Sequence, residues 1–558
     1  MAKMKAYEEL QARAKASWEA LSKSPKTRII VGSATCGRAA GALKTLEAIR
    51  REVALQGLDA QVETTGCIGL CYEEPLVDII KPGGPRVSYG GVTADKVPGL
   101  LQQVLGKGGQ TTAKCLGAHS SNGGGLPSFF DQPFFKGQER RLMARCGSID
   151  PTVIDHYIAT GGYSTLDKVL SSMKPDEVIA EVKTSYIRGR GGAAYPTGQK
   201  WEQCRAARGS LKYIICNADE GDPGVFADRT VLEGDPHGVI EGMIIASYAV
   251  GSDTGFAYIR AEYPLAAEIF RDALQQARER GLLGVNILGS GHSFDIEIRQ
   301  GAGSYVAGES SAQMSSIEGL RAMPRLKRPR SVEKGLWAKP TSMNNVETFA
   351  NIPHIVMNGG AWYASMGTEC SKGTKVFSLS GHIVRTGVVE VPFGTPLGAV
   401  ILDMGGGAPD GKVKGVLPGG PAGGVISADL FHLPIDIDGF DKLGAMVGSG
   451  GFTAFDDRTC ILQLARYCAA FMADESCDRC STCRAGSQRL KDYLTCLDEG
   501  KGTPEDLPKL EALCWVLKCN SHCGLGQTAP NAAMTGLKFF RQEFEDHINK
   551  KLCPARGI

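Results

Sequence analysis

The chain has 558 residues, 42% of them apolar and 22% charged, with 62 Lys plus Arg against 60 Asp plus Glu. A net charge of +2 gives no field for nucleic acid, and the length calls for about three to five domains of ordinary globular composition. The eighteen cysteines lack the even spacing of a secreted disulfide scaffold, which points to metal in a reducing compartment.

Residues 1–26 are charged throughout and read as an exposed helix, not a signal peptide. Residues 27–106 read as a small α/β unit. TRIIVG and AQVETTG are strands, AAGALKTLEAIRREVALQG is an amphipathic helix, and LVDIIKPGGPRVSYG is a hairpin turning at Pro82-Gly83-Gly84-Pro85. Residues 107–139, rich in Gly, Ser and Phe, read as a linker laid against a surface. Residues 140–365 combine the strands KYIICNAD, TGFAYIRA and FDIEIRQG with the helix YPLAAEIFRDALQQARERG, the pattern of an α/β sandwich. Residues 372–440 are rich in strands and glycine. Residues 455–548 read as helices carrying most of the remaining cysteines, and 549–558 form a tail. The longest apolar run, IEGMIIASYAV, is too short to span a bilayer.

The densest chemical signal is RGRGGAAYPTGQKW, Arg188 to Trp201. Gly189, Gly191 and Gly192 allow positive φ and close approach of backbone N–H groups to a ligand, while Arg188, Arg190 and Lys200 add charge. Exposed N–H groups with cations suit a phosphate. The stretch is neither a Walker A loop nor G-x-G-x-x-G. A second signal is C-x-x-C-x-x-C at Cys477, Cys480 and Cys483, a spacing that wraps three thiolates around one cubane cluster. The fourth ligand must come from elsewhere, with Cys523, Cys496, Cys514 and Cys519 as candidates. Zinc is the rival metal, although structural zinc usually takes paired C-x-x-C elements.

These stretches resemble the NADH-binding, FMN-carrying subunit of respiratory complex I, a subunit type shared by NAD-linked hydrogenases and formate dehydrogenases. The resemblance continues in family order through CNADEGDPGVFADR (Cys216 to Arg229), YVAGESSA (Tyr305 to Ala312), SIEGLRAMPRLKRP (Ser316 to Pro329), KPTSMNNVET (Lys339 to Thr348), ESCDRCSTCRAG (Glu475 to Gly486) and CGLGQTAPN (Cys523 to Asn531). It implies a thioredoxin-like domain at 27–106, an FMN-binding α/β sandwich at 140–365, a ubiquitin-like β-grasp domain at 372–440 and a helical cluster domain at 455–548. It assigns FMN to Gly189, Arg190, Gly191, Gly192, Lys200, Asn217, Asp219, Glu220, Tyr305, Gly308, Glu309, Asn344 and Asn345, and a [4Fe-4S] cluster to Cys477, Cys480, Cys483 and Cys523. Cys36, Cys67 and Cys71 match three of the four ligands of a [2Fe-2S] cluster. Val31 stands where the fourth is expected, so that either Cys115 or Cys146 reaches in or the cluster is absent.

The nucleotide pocket, assigned to Tyr195, Asp222, Ser310 and Arg330, departs from the family pattern. Of three aromatic positions only Tyr195 is kept, with Gln203 and Arg330 at the others. Ser310 replaces the second carboxylate of G-E-E, and Asp222 replaces a Glu. Losing a negative charge and gaining Arg330 makes a 2′-phosphate better tolerated. Longer relatives continue past C-P into a ferredoxin-like domain, and Cys553 stands where its first cysteine would be. The resemblance thus implies a diaphorase-type subunit exchanging hydride between NAD(H) or NADP(H) and FMN, and single electrons with the [4Fe-4S] cluster. Its expected partners are other subunits of an iron–sulfur oxidoreductase complex, including a thioredoxin-like [2Fe-2S] subunit, in the cytoplasm or held at a membrane through the complex. The alternative is a flavin–iron–sulfur relay or bifurcating subunit, as in the tungsten-type benzoyl-coenzyme A reductase complex, that does not use a nicotinamide nucleotide.

Overall fold

Among the described residues, fourteen strands sort into three sheets. A computed structural model describes residues 2–106, 112–120, 125–326, 328–553 and 555. In the first sheet β1 (Thr27–Gly32), β2 (Ala60–Thr65), β3 (Val77–Ile80), β4 (Arg86–Gly90) and β5 (Lys114–Ala118) lie in the order β2-β1-β3-β4-β5. β1 and β2 are parallel, joined over the helix Ala42–Leu55, and the remaining pairs are antiparallel. β5 falls in the stretch read as a linker. KCLGA has one large apolar side chain and no pattern of its own, so its strand state comes from pairing with the open edge of β4. Residues 107–111 and 121–124 of that stretch lie outside the described residues. Phe129, Phe134 and Phe135 beyond them are buried in the core of the third sheet.

The leading helix Ala2–Ser22 is not the free helix its charge suggests. Tyr7 and Ala14 are buried in the core around the second sheet, Tyr7 Oη donates to Gly162 O at 2.8 Å, and Trp18 meets His156 edge-on at 4.8 Å. Three or four apolar residues on one stripe suffice to dock a helix whose other faces are charged.

The second sheet is fully parallel, in the order β8-β7-β6-β9: β6 (Tyr213–Ala218), β7 (Thr254–Ile259), β8 (Asp295–Gln300) and β9 (Thr341–Asn345). Its central strands β6 and β7 are apolar because both of their faces are buried, while the edge strand β8, DIEIRQ, carries exposed charges. The run IEGMIIASYAV lies in the helix Pro236–Val250, which is buried along nearly its whole length. The chain proceeds from β6 to β7 and β8 on one side, then returns to place β9 on the other side of β6. That reversal opens a crevice at the carboxyl ends of β6 and β9.

The third sheet has the order β11-β10-β14-β12-β13, with β10 (Thr374–Gly381), β11 (Gly387–Pro392), β12 (Val413–Pro418), β13 (Ile426–Ser427) and β14 (Gly451–Asp456). β14 enters between β10 and β12 from beyond residue 440, parallel to β10. Four long helices follow, Ile461–Asp474, Ser481–Asp498, Asp506–Asn520 and Asn531–Asn549, sharing one apolar core. Among the described residues no helix is long and apolar enough to cross a membrane.

Candidate functional site

Polar side chains gather at the crevice where the strand order reverses. Asn217, at the end of β6, pairs in register with Asn345 at the end of β9, and Cys216 with Asn344. Asn217 Nδ2 donates to Gly308 O at 2.9 Å, while its Oδ1 accepts from Asp219 N at 3.1 Å and Gln313 Nε2 at 2.9 Å. Asn344 Oδ1 accepts from Trp201 Nε1 at 3.0 Å, and its buried Nδ2 has no partner. Asp219 Oδ2 and Gln313 Oε1 are likewise buried and unpaired. Leaving such atoms unpaired costs roughly 1–3 kcal/mol each, so the crevice is built to receive a polar ligand. Burial raises the Asp219 carboxyl to about 7, so near neutrality it can donate as well as accept a hydrogen bond.

The glycine-rich loop covers this crevice. A Cβ on Gly191 would stand 3.0 Å from the Asn345 Cβ, and Gly192 has φ of 106°. Lys200 follows on the helix Thr197–Ala206. Its Nζ donates to Met343 O at 2.7 Å, and desolvation lowers its pKa to about 8. A desolvated ammonium with a carbonyl partner and no carboxylate is a place for an anion. Arg190 is different from the other cations. Its side chain is fully buried, donating to Tyr363 Oη at 2.8 Å and Lys372 O at 2.7 Å. Only its backbone belongs to the loop. The loop is held from behind by Lys375, whose Nζ donates to Arg190 O and Ser449 O, each at 3.1 Å, and to Glu347 at 2.8 Å.

Several residues expected at the flavin or the nucleotide also make hydrogen bonds within the scaffold. The Glu220 carboxylate accepts from Asp228 N at 2.8 Å, Arg229 N at 3.2 Å and Tyr263 Oη at 3.1 Å, capping the helix Ala227–Gly234. Asn345 Oδ1 accepts from Glu347 N at 2.9 Å and caps the helix Val346–Asn358. Glu309 caps the helix Ser310–Ile317 through Ser311 N and Ala312 N, both at 2.9 Å, and still lines the neighbouring cleft. Asp222 is taken by Tyr305 Oη at 2.7 Å and by the Ser449 hydroxyl.

The crevice widens into this cleft, of about 810 Å³. Tyr195, Lys200, Gln203, Glu309, Ser310 and Arg330 line it together. Tyr195 Oη lies 3.2 Å from Gln203 Nε2 and accepts from Arg330 Nη1 at 3.4 Å, so the departures from the family pattern converge at one wall. Asp222 is not among the lining residues, whereas Arg325, Arg328, Trp337 and Arg479 are. Trp337 is 43% exposed and stands edge-on to Tyr213 at 5.3 Å. Its aromatic face lies outside every motif of the sequence and is placed here by a left-handed backbone, φ 45°, a feature no sequence period announces.

Cys477, Cys480, Cys483 and Cys523 line one small cavity with Val306, Pro324, Arg479 and His522. The loop at Cys477 and the short helix Gly524–Thr528 are tied to the central domain. Arg479 Nη1 donates to Pro324 O at 2.7 Å, His522 Nε2 lies 2.8 Å from Arg325 O, and Glu475 accepts from Tyr305 N at 3.0 Å. The rivals are elsewhere: Cys514 is buried in the helical core, Cys496 is partly buried, and Cys519 is exposed. Four thiols around one cavity fit a cubane. Arg479 lines both this cavity and the cleft, which makes them neighbours.

Two further sets of donors converge. Cys36, Cys67 and Cys71 form one, and the buried Cys460, His547 and Cys553 form the other, with Cys460 Sγ 3.3 Å from His547 Nε2. The second set ties the chain beyond the last long helix back to the start of the first helix of the four.

Residues 182–354 match the family model described as the Nuo51 FMN-binding domain, and residues 463–547 match the NADH-ubiquinone oxidoreductase-F iron-sulfur binding region. The NADP-reducing hydrogenase subunit HndC of Solidesulfovibrio fructosivorans is 49% identical over 421 residues, 75% of this chain and 86% of the relative. An NADH-quinone oxidoreductase subunit of Rhizobium meliloti (strain 1021) is 43% identical over 406 residues, 73% of this chain and 96% of the relative. The corresponding NADH-quinone oxidoreductase subunit of Escherichia coli (strain K12) is 37% identical over 403 residues, with shares of 72% and 91%. The crystal structure of an NAD+-reducing [NiFe]-hydrogenase in the H2-reduced state matches with a TM-score of 0.66 at 27% identity, covering 96% of this chain and 88% of that one. Crevice, cleft and cysteine cavity thus occur in a chain that belongs to the family of FMN-binding, iron–sulfur subunits of NADH-quinone oxidoreductase and its hydrogenase relatives.

Proposed function

We propose that this chain is the diaphorase-type subunit of a multisubunit oxidoreductase, taking electrons from, or giving them to, a nicotinamide nucleotide in the 810 Å³ cleft. FMN, when bound, exchanges the hydride pair of the nucleotide for single electrons that a [4Fe-4S] cluster can accept. One observation carries the reading: Arg479 lines both the cleft and the cysteine cavity, so the two cofactor sites share a wall.

The residues divide the work. The loop backbone at Gly189, Gly191 and Gly192, with Lys200, holds the phosphate. Asn217, Asp219 and Asn344 offer their unpaired or exchangeable hydrogen bonds to the flavin ring and ribityl chain. Tyr195 and Trp337 present aromatic faces to the dinucleotide. Ser310 and Arg330 receive a 2′-phosphate, which favours NADPH over NADH; the NADP-reducing hydrogenase relative supports that direction. Cys477, Cys480, Cys483 and Cys523 hold the cluster. The sheet of residues 27–118 is read as thioredoxin-like and the third sheet as the β-grasp domain, both as docking modules for neighbouring subunits.

Anaerobic titration of the FMN-loaded protein with NADPH and, separately, NADH tests the reading. Flavin bleaching by either nucleotide, at lower concentration for NADPH, is expected. Bleaching by dithionite alone would replace the diaphorase with a relay that meets no nicotinamide.

A further inference from the structure

Three thiols at the carboxyl end of the first sheet converge too closely for a two-iron cluster. Cys36 lies on the short helix Thr35–Ala39 after β1, and Cys67 and Cys71 bracket the turn after β2. Their sulfurs all lie within 4.8 Å of one another, with Cys67 and Cys71 at 3.8 Å. In a [2Fe-2S] cluster four thiolates come as two pairs, one pair on each iron. Sulfurs on opposite irons are pushed well beyond the spacing of a pair that shares one iron. A single tetrahedral ion with metal–sulfur bonds of about 2.3 Å instead sets all its sulfurs about 3.8 Å apart. The same chain provides the contrast. No three of Cys477, Cys480, Cys483 and Cys523 converge within 4.8 Å of one another, although the four line one cavity.

The fourth thiolate of a two-iron cluster is also missing. Val31 is fully buried in β1 and has no donor atom. Cys115 is exposed on the edge strand β5, and Cys146 is buried against Gly234; neither joins the converging set. A carboxylate stands beside Cys36, outside the set of atoms that lie within 4.8 Å of one another. Glu74 Oε1 is 3.6 Å from Cys36 Sγ, and its other oxygen accepts from Leu76 N at 2.9 Å. A [2Fe-2S] cluster does not fit these residues.

We propose that Cys36, Cys67 and Cys71 hold one zinc ion, with the Glu74 carboxylate, which already reaches Cys36, turning in as the fourth ligand. Thiolate and carboxylate oxygen are both zinc ligands, and four protein ligands with no open position make a structural site. Gly69 N donates to Cys67 Sγ at 3.2 Å, the N–H support that a bound thiolate needs. Three thiolates and a carboxylate leave a zinc site with two net negative charges. The buried Nη1 of Arg140, which has no hydrogen-bond partner, lies next to Gly69 and offsets one of them.

The ion sits at a seam. Thr35 donates through N and Oγ1 to Glu233 at 2.8 and 2.6 Å. A Cβ on Gly66 would stand 2.7 Å from Gly234 Cα, and Val388 N donates to Gly69 O at 2.9 Å. Zinc here clamps the ends of β1 and β2 against the helix Ala227–Gly234 and against β11. It passes no electrons.

The test is metal analysis of the purified holoprotein, wild type against Cys67→Ser, Cys460→Ser and Glu74→Gln. Zinc is expected to fall by one per chain in Cys67→Ser and not by that step in Cys460→Ser, while iron and flavin stay unchanged. Zinc-edge absorption should show three sulfurs and one oxygen. Glu74→Gln should release the ion to 4-(2-pyridylazo)resorcinol at least about tenfold faster. Loss of iron in Cys67→Ser, or zinc that does not change there, overturns the proposal. Should Cys67→Ser fail to fold, alkylation mapping of the wild type decides. Cys36 and Cys71 must resist alkylation until a chelator is added, and ready alkylation without one overturns the zinc site.

Discussion

Replacing Lys200 with Met removes a cation of the crevice that has no carboxylate partner. In the flavin-free protein its Nζ donates to Met343 O at 2.7 Å, and desolvation holds its pKa at about 8 against an ordinary 10.5. Between those two values the unfolded chain holds more protons than the folded one, so the flavin-free protein gains stability as pH rises through that window. Flavin affinity has the opposite sign. A bound phosphate favours the ammonium, so binding above pH 8 takes up a proton and weakens with pH. With a pKa of about 8, about one lysine in ten is charged at pH 9, which predicts about a tenfold loss of FMN affinity between pH 7 and 9. Lys200→Met should lose about 1.5–3 kcal/mol of charge-assisted bonding at pH 7, roughly 10- to 150-fold in Kd, and should lose the pH dependence. Fluorescence titration of flavin-depleted protein reads both. A wild-type affinity that is flat from pH 7 to 9, or a variant with the wild-type slope, would refute the assignment of Lys200 to the phosphate.

Arg330→Ala should raise the KM for NADPH about fivefold, near 1 kcal/mol for a solvent-exposed charge pair, and leave NADH within twofold, measured by steady-state diaphorase assay. An equal effect on both nucleotides would place Arg330 outside 2′-phosphate recognition. Trp337→Ala should weaken both nucleotides alike by about 1–3 kcal/mol, the worth of one base stacked on an aromatic ring, with kcat little changed; unchanged KM values would leave Tyr195 as the only platform. Cys523→Ser should lower cluster iron and abolish reduction of one-electron acceptors, while nucleotide still bleaches the flavin. Intact iron in that variant would move the fourth ligand to another cysteine.

What the sequence makes legible here is local. Strands β1 to β4 and β6 to β8 come out near their expected bounds because each is a short strand-forming run beside turn residues. The glycine loop and the C-x-x-C-x-x-C spacing announce their chemistry because both act through residues a few positions apart. Features made by distant pairing are silent. KCLGA becomes β5 because β4 leaves an edge open, and β14 enters its sheet from far along the chain. Arg190, Glu220 and Asn345 sit inside family blocks, and a motif cannot say whether its polar atoms face the ligand or cap the helix behind it. The same limit governs the cysteines. Spacing alone makes Cys36, Cys67 and Cys71 an incomplete copy of a four-thiolate site. Only the convergence of three sulfurs, beside a carboxylate that a cysteine pattern has no reason to include, turns the gap at Val31 into a different metal chemistry. A lost ligand therefore need not mean a lost site, because what replaces it is set by what the fold brings near.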